Sequence, residues 1–241
     1  AGANLPWNQM GYDIGGGGWN SSFFSQSFTS LKSHGANSVR FWLHADGKST
    51  PNFSEDGDVM GLGGPNFGPE LKELVELAKD HELVLQLCLW SFDMCKHQDR
   101  HADLISNVTK TDSYVENALK PMLELLQGAN HVVIEVINEP EWCMKSSCDA
   151  DECVEVSEMQ RFTAKIAEAV HLHSTLRVTT GSASLKFSSM RGEASYWNDA
   201  SLHAAYPSSV GSLDFYNVHY CAPLIPTLPR TCPRAMTPSN D

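Results

Sequence analysis

The chain has 241 residues, 41% of them hydrophobic and 19% charged, which suits one domain with a sizeable core and excludes a disordered or fibrous chain. Its 17 Lys and Arg against 29 Asp and Glu give a formal net charge of −12, which argues against nucleic acid or an anionic membrane surface as partner, since both need a concentrated basic face. No apolar run approaches the ~20 residues that span a bilayer, so no membrane insertion is expected, and no signal-like segment opens the chain, so any signal peptide is expected to be already removed.

Apolar, β-branched runs alternate with amphipathic stretches, the pattern of a parallel sheet wrapped by helices. A first strand is expected over residues 10–14. The glycines that follow, Gly15-Gly16-Gly17-Gly18, lack the Lys-Ser/Thr of a P-loop and the spacing of G-x-G-x-x-G, so phosphate binding is not expected. A second strand is expected over 38–43, then a long loop over 45–68. Leu71, Leu74, Val75 and Ala78 recur at helical spacing behind Pro69, predicting a helix over 70–80. The third strand is placed at 83–90, followed by a loop over 91–110 and a helix over 112–127 that Pro121 must kink or divide. A fourth strand over 132–137 leads into a loop over 139–151. A helix over 153–171, carried by Val156, Met159, Ile166 and Val170, precedes strands at 176–180 and 213–219. Six strands result, with the longest loops after the second, third and fourth. In a (β/α)8 barrel such loops build the active face. The expected fold is α/β, a single domain over 1–241 holding six of the eight strand-helix units.

Compartment follows from side chemistry. Three N-x-S/T triplets, at Asn20, Asn52 and Asn107, are glycan acceptors in a secreted protein, and seven cysteines, at 88, 95, 143, 148, 153, 221 and 232, fit disulfides in an oxidising compartment. A secreted, extracellular glycoprotein is expected. Cys143, Cys148 and Cys153 have neither a CxxC pair nor a His at finger spacing, so no metal is expected. The odd count leaves one thiol free or paired outside the chain.

The segment with most chemistry is Val132-Val133-Ile134-Glu135-Val136-Ile137-Asn138-Glu139-Pro140-Glu141-Trp142. Pro140 stops the strand ladder and should hold Glu139 extended, its carboxyl at the strand mouth. Crowded there by aromatic rings and a second carboxylate, such a group could protonate a glycosidic oxygen near neutral pH. The alternative is a solvated loop glutamate beside a turn-forming Asn138.

Asn138-Glu139-Pro140 closing a fourth strand, Arg40 in the second, and His219-Tyr220 ending the sixth resemble the glycoside hydrolase clan that includes family 5. More closely, Ser38-Val39-Arg40-Phe41-Trp42-Leu43-His44-Ala45-Asp46-Gly47, Leu89-Trp90-Ser91-Phe92-Asp93-Met94, Asn138-Glu139-Pro140-Glu141 and Leu213-Asp214-Phe215-Tyr216-Asn217-Val218-His219-Tyr220 resemble that family's endo-1,4-β-mannanases from molluscs and other invertebrates. The resemblance runs from about Gln9 to Tyr220. It implies retaining, endo-acting hydrolysis of β-1,4-mannosidic links, with a mannan-type polysaccharide as partner and no cofactor. Glu139 would be the acid/base and Asn138 would hydrogen-bond the sugar 2-hydroxyl. Arg40 would orient the nucleophilic carboxylate, and His219 and Tyr220 would line the cleavage subsite. The alternatives are a structural ion pair for Arg40 and a satisfied barrel histidine for His219. Trp90 and Trp142 are candidate platforms for a pyranose face, or core residues.

Three departures stand against that pattern. The family's nucleophile is a Glu ending a seventh strand, whereas the last Glu here is Glu193, and neither Asp214 nor Asp241 replaces it. Cys221 stands where relatives often carry an aromatic residue, and Gly181-Ser182-Ala183 is small where a Trp is expected. Two readings stay open: a fragment of a hydrolase whose open barrel edge is covered by a C-terminal segment or another chain, and a non-catalytic secreted structural or glycan-binding glycoprotein reusing the barrel.

Overall fold

The structure is a computed structural model that describes residues 1–95, 99–147, 153–188 and 195–219. In chain order the strands are β1 (Gly2–Asn4), β2 (Ser38–Ala45), β3 (Asn52–Phe53), β4 (Val59–Gly61), β5 (Val84–Ser91), β6 (Val132–Asn138), β7 (Arg177–Ser182) and β8 (Asn217–Val218). The helices are α1 (Ser21–Ser33), α2 (Phe67–Asp80), α3 (Asp99–Ser106), α4 (Val108–Tyr114), α5 (Lys120–Leu125), α6 (Val156–His173), α7 (Leu185–Ser188) and α8 (Asp199–Ala205). Six strands form one parallel sheet in the order β1-β2-β5-β6-β7-β8. The remaining pair, β3 and β4, is a small antiparallel hairpin inside the long connection after β2.

The strand expected over 10–14 does not form. Gly11 and Gly15 take positive φ, and the buried Asp13 carboxylate accepts the backbone N–H groups of Asn8 and Gln9, so this stretch closes on itself as turns. The first strand is instead β1, short and without an apolar run, paired in register with Ser38–Arg40. The sixth expected strand shrinks to Asn217–Val218, while Asp214 turns back to cap the start of β7 through the Val178 N–H.

The long helices α2 and α6 lay their apolar stripes on the sheet. On α2 that stripe is Phe67, Leu71, Leu74, Val75 and Ala78, and on α6 it includes Met159, Phe162, Ile166 and Val170, with Glu155 and Glu158 closing a capping box at the N-terminus. The backbone stays helical through Pro121. The turn before it, Val115–Leu119, widens to π geometry, so the backbone absorbs both the missing N–H and the bulk of the ring before α5 begins. The connection after β5 is not a bare loop either: a 3-10 turn, Phe92–Cys95, and α3 occupy it. Among the described residues no helix is long and apolar enough to cross a membrane.

Candidate active site

The strand β6 is apolar except at Glu135 in its middle and Asn138 at its end, and both of these are buried. Arg40, only three residues into β2, reaches toward both. Its Nε donates to Glu135 Oε2 (2.7 Å), and its Nη2 donates to Glu135 Oε1 (2.5 Å) and to Asn138 Oδ1 (2.8 Å). Gln86 Nε2 donates to Glu135 Oε2 at 2.5 Å, and Asn217 Nδ2 lies 3.4 Å from the same oxygen. Burial pushes the Glu135 carboxyl up. The Arg40 charge and the hydrogen bonds from Arg40 and Gln86, with His219 nearby, outweigh that and leave it below its ordinary value. Beside the pair, burial and then the Glu135 charge push the Cys88 thiol well up, so it stays neutral. Cys88 is the free cysteine among the described residues.

Glu139 follows at the strand mouth. It is not extended, as the Pro after it led us to expect, but left-handed, at φ 48° and ψ 55°. Such a backbone costs a non-glycine residue about 1–3 kcal/mol and persists only where its surroundings over-determine it. Here they do. The Glu139 N–H donates to Gly181 O (2.6 Å), and the Trp142 N–H donates to Glu139 O (3.1 Å). The resulting turn aims the carboxyl at two side chains: His219 Nδ1 stands 2.8 Å from Oε1, and Trp142 Nε1 donates to Oε2 at 3.0 Å. The Glu139 side chain keeps 16% of its surface open, so the group is sheltered yet reachable.

Trp142 is 47% exposed, immediately beside this carboxyl. Trp90 is a different case. It is fully buried between His44 and Tyr114, so it is a core residue and offers no face to a sugar. Tyr220 lies outside the described residues. Arg40, Asn138, Glu139, His219 and Trp142 are brought together.

Two further carboxylates went unnoticed in the sequence. Glu135 had a signal, a charge inside an apolar strand, which in a barrel must find a partner across its interior. Glu141 had none, and it is fully buried in the 3-10 turn Pro140–Cys143. That turn is also tied by the Cys95–Cys143 disulfide to the segment after β5; Cys153 is disulfide-bonded as well. The small segment at the end of β7 has its own reason. A Cβ on Gly181 would overlap Glu135 Oε1 and sit 3.3 Å from His219 Nε2, so no side chain fits there. Asn20, Asn52 and Asn107 are all exposed.

No family model matches the chain. A curated mannan endo-1,4-β-mannosidase from Mytilus edulis is 28% identical over 243 residues, covering 91% of this chain and 66% of that protein. Among solved structures, the endo-1,4-β-mannanase of Eisenia fetida superposes with a TM-score of 0.83 at 27% identity, covering 90% of this chain and 67% of that one. The β-1,4-mannanase of the sea hare Aplysia kurodai gives 0.83 at 28% identity, with coverage of 90% and 69%. The chain thus resembles invertebrate endo-β-mannanases along nearly its whole length while spanning about 66% of the curated mussel protein. Its fold class is the (β/α)8 barrel, of which six parallel strands are described.

Proposed function

We propose that this chain is part of the catalytic barrel of a hydrolase acting on β-1,4-linked mannan, with Glu139 as acid/base. One observation carries the reading: a carboxyl held at the mouth of β6 between His219 Nδ1 and Trp142 Nε1, with Asn138 and Arg40 beside it. The similarity to endo-mannanases supports the substrate class. Glu139 protonates the leaving glycosidic oxygen and then takes a proton from the attacking water. Asn138, its Oδ1 engaged by Arg40, has its amide N–H free in direction for a sugar hydroxyl. The exposed ring of Trp142 offers an apolar face for a pyranose next to the proton donor.

Retention needs a second carboxylate about 5 Å from the first. Glu135 does not qualify, because it is fully buried and both its oxygens are bonded to Arg40. Asp214 is engaged by His171 and the Val178 N–H at the far end of β7. On this reading the nucleophile is supplied by residues other than those described. Secretion and glycosylation are part of the same proposal, supported by the exposed sequons and the disulfides.

The test compares the full natural protein with its Glu139→Gln variant on mannan, following the anomeric form of the product by NMR. Hydrolysis with retention and a loss of about 10²–10⁴-fold in the variant are expected. Equal rates in the two would remove the role assigned to Glu139. An inactive natural protein that still binds mannan would favour the glycan-binding reading of the barrel.

A further inference from the structure

Glu141 sits two residues past the proposed acid, buried, and takes no part in the chemistry above. A carboxylate withdrawn from water must be compensated. Its partners are neutral donors: Ser182 Oγ donates to Oε1 (2.7 Å), Trp197 Nε1 donates to Oε1 (2.8 Å), and the Ala183 N–H donates to Oε2 (3.0 Å). Two of the three belong to the end of β7 and the residue after it. The same short stretch also accepts the Glu139 N–H at Gly181 O and the His219 N–H at Ser182 O (2.8 Å). Gly181-Ser182-Ala183 is thus one anchor for three things: the backbone of Glu139, the turn that follows it, and the histidine facing its carboxyl.

We infer that Glu141 is a positioning residue, whose buried carboxylate locks the left-handed turn of Glu139 onto the end of β7 and so fixes where the transferable proton is presented. The inference rests on the proposed role of Glu139. Ordinary ladder bonds do not suffice at this point, because β6 ends at Asn138 and Pro140 has no N–H to give. The Glu141 side chain continues the β6–β7 attachment past the strand's end, with two acceptor oxygens in place of the lost backbone partners. Trp197 brings a second element to the same lock, since it immediately precedes the N-cap of α8. Glutamine in this position keeps the shape but replaces one acceptor with an NH2, which faces a donor it cannot accept from.

The test uses the full natural protein and its Glu141→Gln variant on two substrates: mannan, whose leaving group needs a proton, and an activated dinitrophenyl β-mannooligosaccharide, whose aryloxide does not. Positioning of the acid predicts a kcat on mannan lowered at least tenfold with KM within twofold, and a pre-steady-state burst of aryloxide lowered less than threefold. Equal losses on both substrates, or no loss on either, would overturn the inference, since a general loss of folded enzyme does not distinguish leaving groups. Where Glu141→Gln fails to fold, Ser182→Ala removes one donor of the three and should show a smaller leaving-group dependence of the same sign. An inactive parent protein would count against the role of Glu139 alone. A crystal structure of the variant then decides the lock: the Glu139 carboxyl is expected to leave His219 Nδ1 and Trp142 Nε1, and its staying in place would refute the positioning role.

Discussion

Arg40 and Glu135 meet through two roughly parallel N–H···O bonds, 2.7 and 2.5 Å long, although 95 residues separate them in sequence. The pair is almost wholly withdrawn from solvent, and Arg40 spends a further donor on Asn138. Removing one partner leaves a buried charge without compensation, which costs about 3–5 kcal/mol. Glu135→Gln should therefore lower the urea-unfolding free energy by an amount of that order. A change below about 1 kcal/mol would mean that Arg40 finds another counter-charge.

The same pair sets an acid limit. Because the folded carboxyl lies below its ordinary value, its stabilising contribution is complete above the unfolded value, 4.5, and is lost as pH falls through the folded one. Stability measured from pH 6 downward should drop below about pH 4.5, and in Glu135→Gln that part of the drop should be absent.

His44 acts over a different window. Burial lowers its value to about 3, against 6.5 when unfolded, so the unfolded chain binds an extra proton between these limits. Stability from this group is complete above pH 6.5 and falls as pH decreases toward 3, by at most about 1.4 kcal/mol per pH unit. The difference in unfolding free energy between the parent and His44→Gln should shrink steadily from pH 7 to pH 4. A constant difference would show that His44 does not titrate differently in the two states.

Gly181 allows a steric prediction. Gly181→Ala places a methyl group against Glu135 Oε1 and near His219 Nε2, and overpacking of this kind costs about 1–3 kcal/mol. The melting temperature should fall by roughly 2–4 °C per kcal/mol for a chain of this size. An unchanged melting temperature would mean that the sheet opens to admit the methyl.

Substitution at Trp142 can separate its hydrogen bond to Glu139 from the sugar stacking proposed for its ring. Trp142→Phe keeps a stacking ring but removes the N–H donated to Glu139, a neutral-to-charged hydrogen bond worth about 1.5–3 kcal/mol. Its kcat on mannan should fall by about tenfold or more with little change in KM, whereas Trp142→Ala should also raise KM. Identical kinetics for the two variants would refute the stacking role.

At the sequons, Asn20 and Asn107 cap α1 and α4 through Oδ1, leaving Nδ2 for a glycan. Asn107→Asp should abolish a glycan there without loss of stability, because aspartate keeps the cap. Mass spectrometry of protein from its natural source should find at least one of Asn20, Asn52 and Asn107 modified; all three bare would argue against secretion.

The sequence by itself determined the class of fold and singled out most residues of the candidate site. Periodicity is local physics: the stripe Leu71, Leu74, Val75, Ala78 and the apolar run over 132–137 can be satisfied only by a helix and a strand that bury them, so β2, β5, β6, β7, α2 and α6 lay within a few residues of their expected places. Asn138-Glu139-Pro140 was legible because a carboxyl and a proline at the end of a buried strand have few structural uses. Tertiary structure alone decided the rest, because it depends on partners distant in the chain. The turns over 10–14 replaced a strand once Asp13 captured two backbone N–H groups, and β1 exists only because β2 offers it an edge. Trp90 went to the core and Trp142 to the surface although both looked alike as aromatic residues near strand ends. Glu139 took a left-handed backbone that no local rule favours, because Gly181 accepts its N–H and Ser182, Ala183 and Trp197 hold the Glu141 carboxylate. A buried charge is stable only when its partners are supplied, and those partners, 41 to 56 residues away along the chain, meet it only once the barrel strands have paired.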